Sequence, residues 1–123
     1  VDQARGGTGC AIVHSDSASG IQRLNQEAAK ALAAGRRAGF DISEGRAMTW
    51  ITKNPAKSLG ILDQTGTLEQ GKDADLVIWS GNPFSIYTKA EQVYIDGALA
   101  FDKASNFMPH TDFDLGIKEW EDK

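Results

Sequence analysis

The sequence predicts an α+β fold in which one strand–helix unit and two further helices precede a small antiparallel sheet. Apolar residues recur at helical spacing in the first half of the chain, and short β-forming runs separated by turn residues fill the second half. This change in character follows Gly60, so we expect two structural units, residues 1–60 and 61–104, and then a polar tail over residues 105–123. The chain has 123 residues, a length that suits one domain with a real core.

Composition and charge exclude several classes of function. The 13 Lys and Arg against 17 Asp and Glu give a net charge of −4, so we expect no nucleic-acid partner. The single Cys10 excludes an internal disulfide and a multi-cysteine zinc site, and His14 and His110 are too few for a site of several imidazoles. No apolar run reaches the roughly 18–20 residues that cross a bilayer, so we expect no membrane partner. Val1 is expected to be a processed start or an arbitrary cut, and it does not indicate where the protein resides.

The first predicted unit is a buried strand followed by a polar loop and an amphipathic helix. Residues 10–13 form a short apolar run that is typical of parallel sheets, and residues 14–20 are small and polar. Gly35 and Gly39 mark the end of the helix that follows. Its apolar stripe comprises Ile21, Leu24, Ala28, Ala31 and Leu32.

A second helix is predicted to begin after Ser43, a residue type that caps helix N-termini. Ile42 before the cap and Ala47 after it have the spacing of a hydrophobic staple. Ala47, Trp50 and Ile51 are expected to face the core.

A third helix is predicted from its own cap signals, and three strands follow it. Asn54 is the expected N-cap, Pro55 the first helical residue and Gly60 the residue past the end. Residues 76–79 are rich in β-formers, and the runs 92–95 and 98–101 flank an Asp-Gly pair. That pair predicts a hairpin with a type I′ turn.

The loop after the first predicted strand contains the residues best suited to chemistry, His14 and Asp16. In parallel α/β folds functional side chains lie where strands run into loops, and a carboxylate there can bind a metal and accept a proton. The alternative is that Asp16 or Ser17 only caps the next helix, and the residues alone leave both open. The glycines of residues 6–9 precede a strand, which is the wrong order for a phosphate-binding loop.

Two longer motifs make the chain similar to a known family. Asn-Pro-Ala-Lys-x-Leu-Gly at residues 54–60 and Gly-Lys-x-Ala-Asp-Leu-Val at residues 71–77 lie in the expected order with residues 14–17, 23–29 and 93–97. Over about residues 10–101 the chain resembles the C-terminal part of a metal-dependent amidohydrolase, near the imidazolonepropionase-like branch. The resemblance implies a parent with a (β/α)₈ barrel and a small β-domain, in which residues 10–13 are the eighth barrel strand.

The resemblance also implies a role for Asp16. In the family the carboxylate after this strand binds the metal and acts as general base, passing the proton of the attacking water to the leaving nitrogen. The implied reaction is hydrolysis of a C–N bond in a small amide, cyclic amide or dipeptide-like molecule. His14, two residues earlier, is a candidate substrate contact, or it is satisfied by neighbouring polar groups. The implied cofactor is a divalent metal, with zinc expected first, although one carboxylate does not select among divalent ions.

The chain departs from the family pattern because most metal ligands have no counterpart in it. The His-x-His pair, the bridging lysine or carboxylate and two later histidines are missing, and a barrel needs about 250 residues. We therefore expect a fragment that is inactive alone and binds no metal tightly, and that associates into a homo-oligomer through residues before Gly60. The alternative function is a non-catalytic assembly module of α+β fold.

The remaining notable residues are expected to be structural. Asp75 is predicted to bond turn amides before its strand, and Cys10 to be a small buried residue. Trp79, Tyr94 and Phe101 are predicted to be core aromatics of the sheet.

Overall fold

The computed structural model describes residues 9–105, which form an α+β arrangement. Its elements are α1 (Leu24–Arg37), α2 (Glu44–Thr49), α3 (Lys53–Leu59), β1 (Leu76–Trp79), β2 (Ala90–Ile95) and β3 (Ala98–Asp102). The helices precede Gly60 and the strands follow it, as predicted. The predicted tail beyond residue 105, including His110, and the glycines at 6 and 7 lie outside the described residues. Among the described helices none is long and apolar enough to cross a membrane.

Helix α1 follows a short 3-10 turn, Ile21–Arg23, and ends where the glycines predicted. Gly39 has φ +85°, and the amides of Gly39 and Phe40 donate to the carbonyls of Arg36 and Gly35 at 3.0 and 3.1 Å. This pair of hydrogen bonds is a Schellman motif. The motif requires a residue in the left-handed conformation, which glycine adopts without strain.

The buried face of α1 is narrower than the predicted stripe. Ala28 and Leu32 are buried, with 0% and 4% of their surface exposed. Ile21 is 57% exposed and Ala31 is also exposed, so the prediction that they face a core is wrong for this chain. Ile21 is the first residue of the 3-10 turn, and Ala31 directly precedes Leu32. No described element covers either side chain.

Helix α2 is capped as predicted, and half of the core residues lie within it or directly beside its ends. The Ser43 Oγ accepts a hydrogen bond from the Arg46 amide at 3.1 Å. Ile42 and Ala47 are both buried in one apolar cluster, which supports the predicted staple. The cluster comprises Leu32, Ile42, Ala47 and Trp50, with Val13, Phe40 and Phe84 packed against it.

The predicted cap of α3 is wrong by position, although its end is right. The helix begins at Lys53 with Thr52 as the N-cap residue, and Asn54 therefore lies inside the first turn. Asn54 does not cap because its side chain is used elsewhere: its Nδ2 donates to the Ala11 carbonyl at 2.7 Å. Gly60 ends the helix with φ +75°, as the sequence predicted.

The sheet has the order β1-β2-β3, and both pairs are antiparallel. The hairpin between β2 and β3 turns through Asp96 and Gly97, with φ values of +51° and +74°. Positive φ at both central residues defines the predicted type I′ turn. Strand β2 begins two residues before the predicted run, at Ala90, and β3 ends one residue after it, at Asp102.

The sheet has no buried interior of its own, which corrects the prediction for its aromatics. Trp79, Tyr94 and Phe101 are half-buried rather than core residues. All six buried apolar residues lie between Ala28 and Ala56, in the helical half of the described chain. Ile95 and Leu99 are 59% and 51% exposed because no second layer covers the sheet within the described residues.

Residues 10–13 are extended but are not a strand, which corrects the first predicted element. Within residues 9–105 they pair with no strand, and a strand requires a neighbouring strand to complete its hydrogen bonds. The Val13 amide instead donates to the Trp50 carbonyl at 3.0 Å. Cys10 is exposed rather than buried, for the same lack of neighbours.

The loop between β1 and β2 contacts the helices. Phe84, in the connection from β1 to β2, packs against the helical cluster. Two hydrogen bonds support this contact: the Asn25 Nδ2 donates to the Pro83 carbonyl at 2.6 Å, and the Asn82 Nδ2 donates to the Glu44 carboxylate at 3.0 Å.

Candidate functional site

The loop that carries His14 and Asp16 is shaped by its serines. The Ser17 amide donates to the Ser15 Oγ at 3.1 Å, and the Gly20 amide donates to the Ser17 Oγ at 3.2 Å. The Ser17 carbonyl also accepts from the Ile21 amide at 3.0 Å. Ser17 therefore caps the turn that leads into α1, so the capping role considered for Asp16 is filled by its neighbour.

His14 and Asp16 lie side by side. The His14 Nδ1 is 3.3 Å from the Asp16 Oδ1, within ion-pair distance if the imidazole is protonated. The two side chains are 73% and 94% exposed, so solvent screens this pair and it contributes little to stability.

The pair offers one carboxylate and one imidazole to a ligand. A carboxylate and a neutral imidazole are both ligands of zinc and related divalent ions. Over residues 9–105 no three His, Cys, Asp or Glu side chains come together as a metal-binding group. Two such side chains alone provide too few ligands for a complete metal site.

The backbone that leads to the pair is fixed from the side of α2 and α3. Val13 is bonded to Trp50 through its amide, and Ala11 is bonded to Asn54 through its carbonyl. Sequence reasoning missed this contact because Asn-Pro at a helix start is read as a capping signal. No local pattern marks a residue whose partner lies 43 positions away.

Asp75 has a structural role, as predicted, but its partners are not the predicted turn amides before its strand. Its two carboxylate oxygens accept hydrogen bonds at 2.9 Å, Oδ1 from the Asp96 amide and Oδ2 from the Thr65 hydroxyl. The Asp96 amide first, and the Thr65 hydroxyl second, lower the pKa of Asp75 below its ordinary value. The carboxylate thus joins the turn before β1 to the hairpin turn and is separate from His14 and Asp16.

A shallow groove beside the sheet is a weaker candidate site. It has a volume of about 460 Å³ and is lined by Ile78, Glu91, Gln92, Asp102, Lys103 and Ala104. The Gln92 Nε2 and the Asp102 Oδ2 within it bind each other at 3.4 Å. Because its polar groups contact each other rather than converge on an open point, it has no arrangement that suits catalysis.

Comparison with known proteins gives one consistent family. A model described as the amidohydrolase family matches residues 3–109. The imidazolonepropionase of Brucella suis is 49% identical over 55 residues, which are 45% of this chain and 12% of that protein. The amidohydrolase tasK of Hapsidospora irregularis is 38% identical over 56 residues, 46% of this chain and 6% of that protein.

A solved structure agrees with the family model. The crystal structure of an amidohydrolase from Thermotoga maritima is similar to this chain with a TM-score of 0.57 and 43% sequence identity. The similarity covers 64% of this chain and 19% of that one. The chain therefore spans only a small part of the length of the proteins that it matches.

Proposed function

The chain belongs to the amidohydrolase family, and from this premise we propose that it is the part of a metal-dependent hydrolase that carries the catalytic carboxylate, Asp16. The proposed reaction is hydrolysis of a C–N bond in a small amide, cyclic amide or dipeptide-like substrate. The relatives named imidazolonepropionase suggest that a cyclic amide be tried first. The observation that carries the proposal is the carboxylate of Asp16 on the loop after residues 10–13, which is exposed and does not cap the following turn.

The residues present are consistent with one edge of a metal site. Asp16 is 94% exposed and its loop is held by the serines, so its carboxylate is open to a ligand. Amidohydrolases generally use divalent metals, and we propose zinc as the ion. A bound divalent ion would supply acidity to a coordinated water and polarise the substrate carbonyl.

Asp16 would move the proton during the reaction. Its carboxylate would accept a proton from the attacking water as the new C–O bond forms, and would then give that proton to the leaving nitrogen as the C–N bond breaks. This is general base and then general acid catalysis by one group. One carboxylate oxygen faces His14 at 3.3 Å.

His14 would contact the substrate or orient the carboxylate. The His14 Nδ1 lies 3.3 Å from the Asp16 Oδ1 and, when it carries a proton, could donate it in a hydrogen bond to that carboxylate. With 73% of its side chain exposed, His14 is also accessible to a substrate. We propose the substrate contact as its role, as the sequence suggested.

The isolated chain is proposed to be inactive. Its described residues contain no group of three metal-binding side chains, so it would bind zinc weakly as a monomer. The same observation supports the alternative function, a non-catalytic assembly module. An upstream coding frame with a His-x-His after a strand would support the enzyme, and an upstream region without barrel strands would support the module.

The substitution Asp16→Asn in the full-length enzyme tests the proposal directly. Asn keeps the size and one oxygen but removes the charge and the proton acceptor. We expect kcat to fall by roughly 10²–10⁴-fold, the usual range for general acid–base catalysis. Because the substrate is held mostly by other loops, KM should change less.

The matched control is Asp75→Asn, which makes the same chemical change far along the chain from the proposed site. We expect it to lower stability more than turnover, since Asp75 joins two turns. Steady-state kinetics with a panel of cyclic amides measures kcat and KM of both variants, and chemical denaturation measures their stability. If Asp16→Asn leaves kcat within about threefold of wild type, Asp16 is not the catalytic carboxylate.

A further inference from the structure

The segment that leads to Asp16 is held by hydrogen bonds from the helices. The Ala11 carbonyl accepts from the Asn54 Nδ2 at 2.7 Å, and the Val13 amide donates to the Trp50 carbonyl at 3.0 Å. No described strand pairs with residues 10–13. In the described part of the chain, their position therefore depends on these hydrogen bonds, on the contact of the Cys10 Sγ with the Asn54 carbonyl at 4.0 Å and on the packing of Val13 against the helical cluster.

Asn54 differs from Trp50 in how it makes its contact. Trp50 uses a backbone carbonyl, whereas Asn54 uses a side-chain amide that a single substitution can remove. Only 8% of Asn54 is exposed, and it is the buried polar residue of the described chain. A buried amide that loses its partner is costly, because water cannot replace the missing hydrogen bond. Loss of the contact with Ala11 is therefore expected to be costly while α3 is folded.

Asp16 lies between this contact and a second fixed point. Upstream, Asn54 holds Ala11, five residues before Asp16. Downstream, Ser17 accepts the Gly20 amide and fixes the start of the turn into α1. With both ends of this short stretch fixed, the backbone of Asp16 has little freedom to shift, although its side chain is almost fully exposed.

We propose that Asn54 is a positioning residue for Asp16, acting through the Ala11 carbonyl. This inference rests on the proposed function of Asp16. Asn54 does not touch the substrate; it sets where the carboxylate lies relative to the substrate and the other ligands. A misplacement of about 1 Å in a catalytic group can cost about 10²-fold in rate. Position, rather than proton affinity, is what Asn54 contributes.

The substitution Asn54→Asp in the full-length enzyme tests this role. Aspartate has nearly the same shape but offers no donor to the Ala11 carbonyl, so the contact is lost with little change in packing. We expect kcat to fall about 10–100-fold with KM within about threefold. Asn54→Ser, whose hydroxyl is too short to reach Ala11, should give the same result and serves if the first variant does not fold.

Asn25→Asp is the matched control. The Asn25 Nδ2 also donates to a distant backbone carbonyl, that of Pro83 at 2.6 Å, but not to the segment before Asp16. We expect it to lower thermal stability to a similar degree while kcat stays within about threefold of wild type. A role of Asn54 in stability alone would make the two variants alike in kcat.

Hydrogen exchange at the Val13 amide gives a readout that does not depend on activity. Val13 lies two residues after Ala11, and its amide donates to the Trp50 carbonyl. We expect Asn54→Asp to speed its exchange at least tenfold and Asn25→Asp to leave it unchanged. Unchanged exchange, or an unchanged kcat in Asn54→Asp while Asp16→Asn is inactive, overturns the positioning role alone. An active Asp16→Asn enzyme overturns the proposed function and, with it, this inference.

Discussion

Asp75 is a surface carboxylate with a structural task. It is exposed, yet it accepts hydrogen bonds from the Asp96 amide and the Thr65 hydroxyl, and these lower its pKa below the ordinary value of 3.8. A carboxylate whose pKa is lower in the folded than in the unfolded state makes its full contribution to stability at pH values above the unfolded-state pKa. That contribution is lost as the pH falls through the lower, folded value.

This gives a pH-dependent prediction for Asp75→Asn. At pH 7 the variant should unfold at a lower urea concentration than wild type, and the difference should shrink as the pH falls below 3.8. Urea midpoints measured from pH 7 to pH 2.5 check it. Thr65→Val removes one of the two hydrogen bonds and should give an intermediate difference. A difference that is constant across this range would show that charge on Asp75 has no part in stability.

The helices are defined by their ends more than by their length. Helix α2 has only six residues, too few to be stable alone, and it persists because it is capped and buries Ala47 against Leu32 and Ile42. The Ser43 Oγ satisfies the Arg46 amide, one of the donors that the first turn leaves unpaired. The cap and the apolar contact act together.

Ser43→Ala should therefore destabilise the chain by about 1 kcal/mol, the usual cost of losing an N-cap side chain. The matched control is Ser58→Ala, an exposed serine inside α3, where alanine is the better helix former. We expect the control to be neutral or slightly stabilising. Chemical denaturation of the two variants beside wild type measures both, and equal stability of Ser43→Ala and wild type would refute the cap's importance.

The described part of the chain leaves much apolar surface uncovered. No large side chain in the described residues is fully buried, and large apolar residues from Ile12 to Leu99 are exposed. Uncovered apolar surface, and the edges of β1 and β3 that no strand of residues 9–105 pairs, favour association with another chain. The sequence predicted a homo-oligomer through residues before Gly60, where an apolar segment and its helix lack neighbours, and this remains a prediction.

Light scattering at micromolar concentration should give a mass of at least two chains. We expect the interface before Gly60, so Ile12→Lys and Ile21→Lys together should shift the chain to monomer, since both residues are exposed there. Leu68→Lys, at a residue 78% exposed but beyond Gly60, is the control and should leave the mass unchanged. A monomeric wild-type chain would contradict the prediction outright.

Local patterns in the sequence were enough to predict several structural elements, and two motifs were enough to indicate the family. The cap at Ser43, the end at Gly60 and the turn at Asp96 and Gly97 depend on neighbours within a few residues, so the pattern carries them. The family followed from two motifs whose order and spacing are visible in the sequence, and the family model agrees with it. The division at residue 60 and the roles of His14 and Asp16 are still predictions.

Contacts between distant residues were decided only by the tertiary structure. Whether residues 10–13 form a strand depends on neighbours that the described chain does not provide, and whether Trp79 is buried depends on a layer that is likewise absent from it. Asn54 reads as a cap by local pattern, yet its amide bonds Ala11 across 43 positions. Burial and strand pairing are properties of the surroundings rather than of the segment, which is why a local pattern predicts turns and caps better than cores.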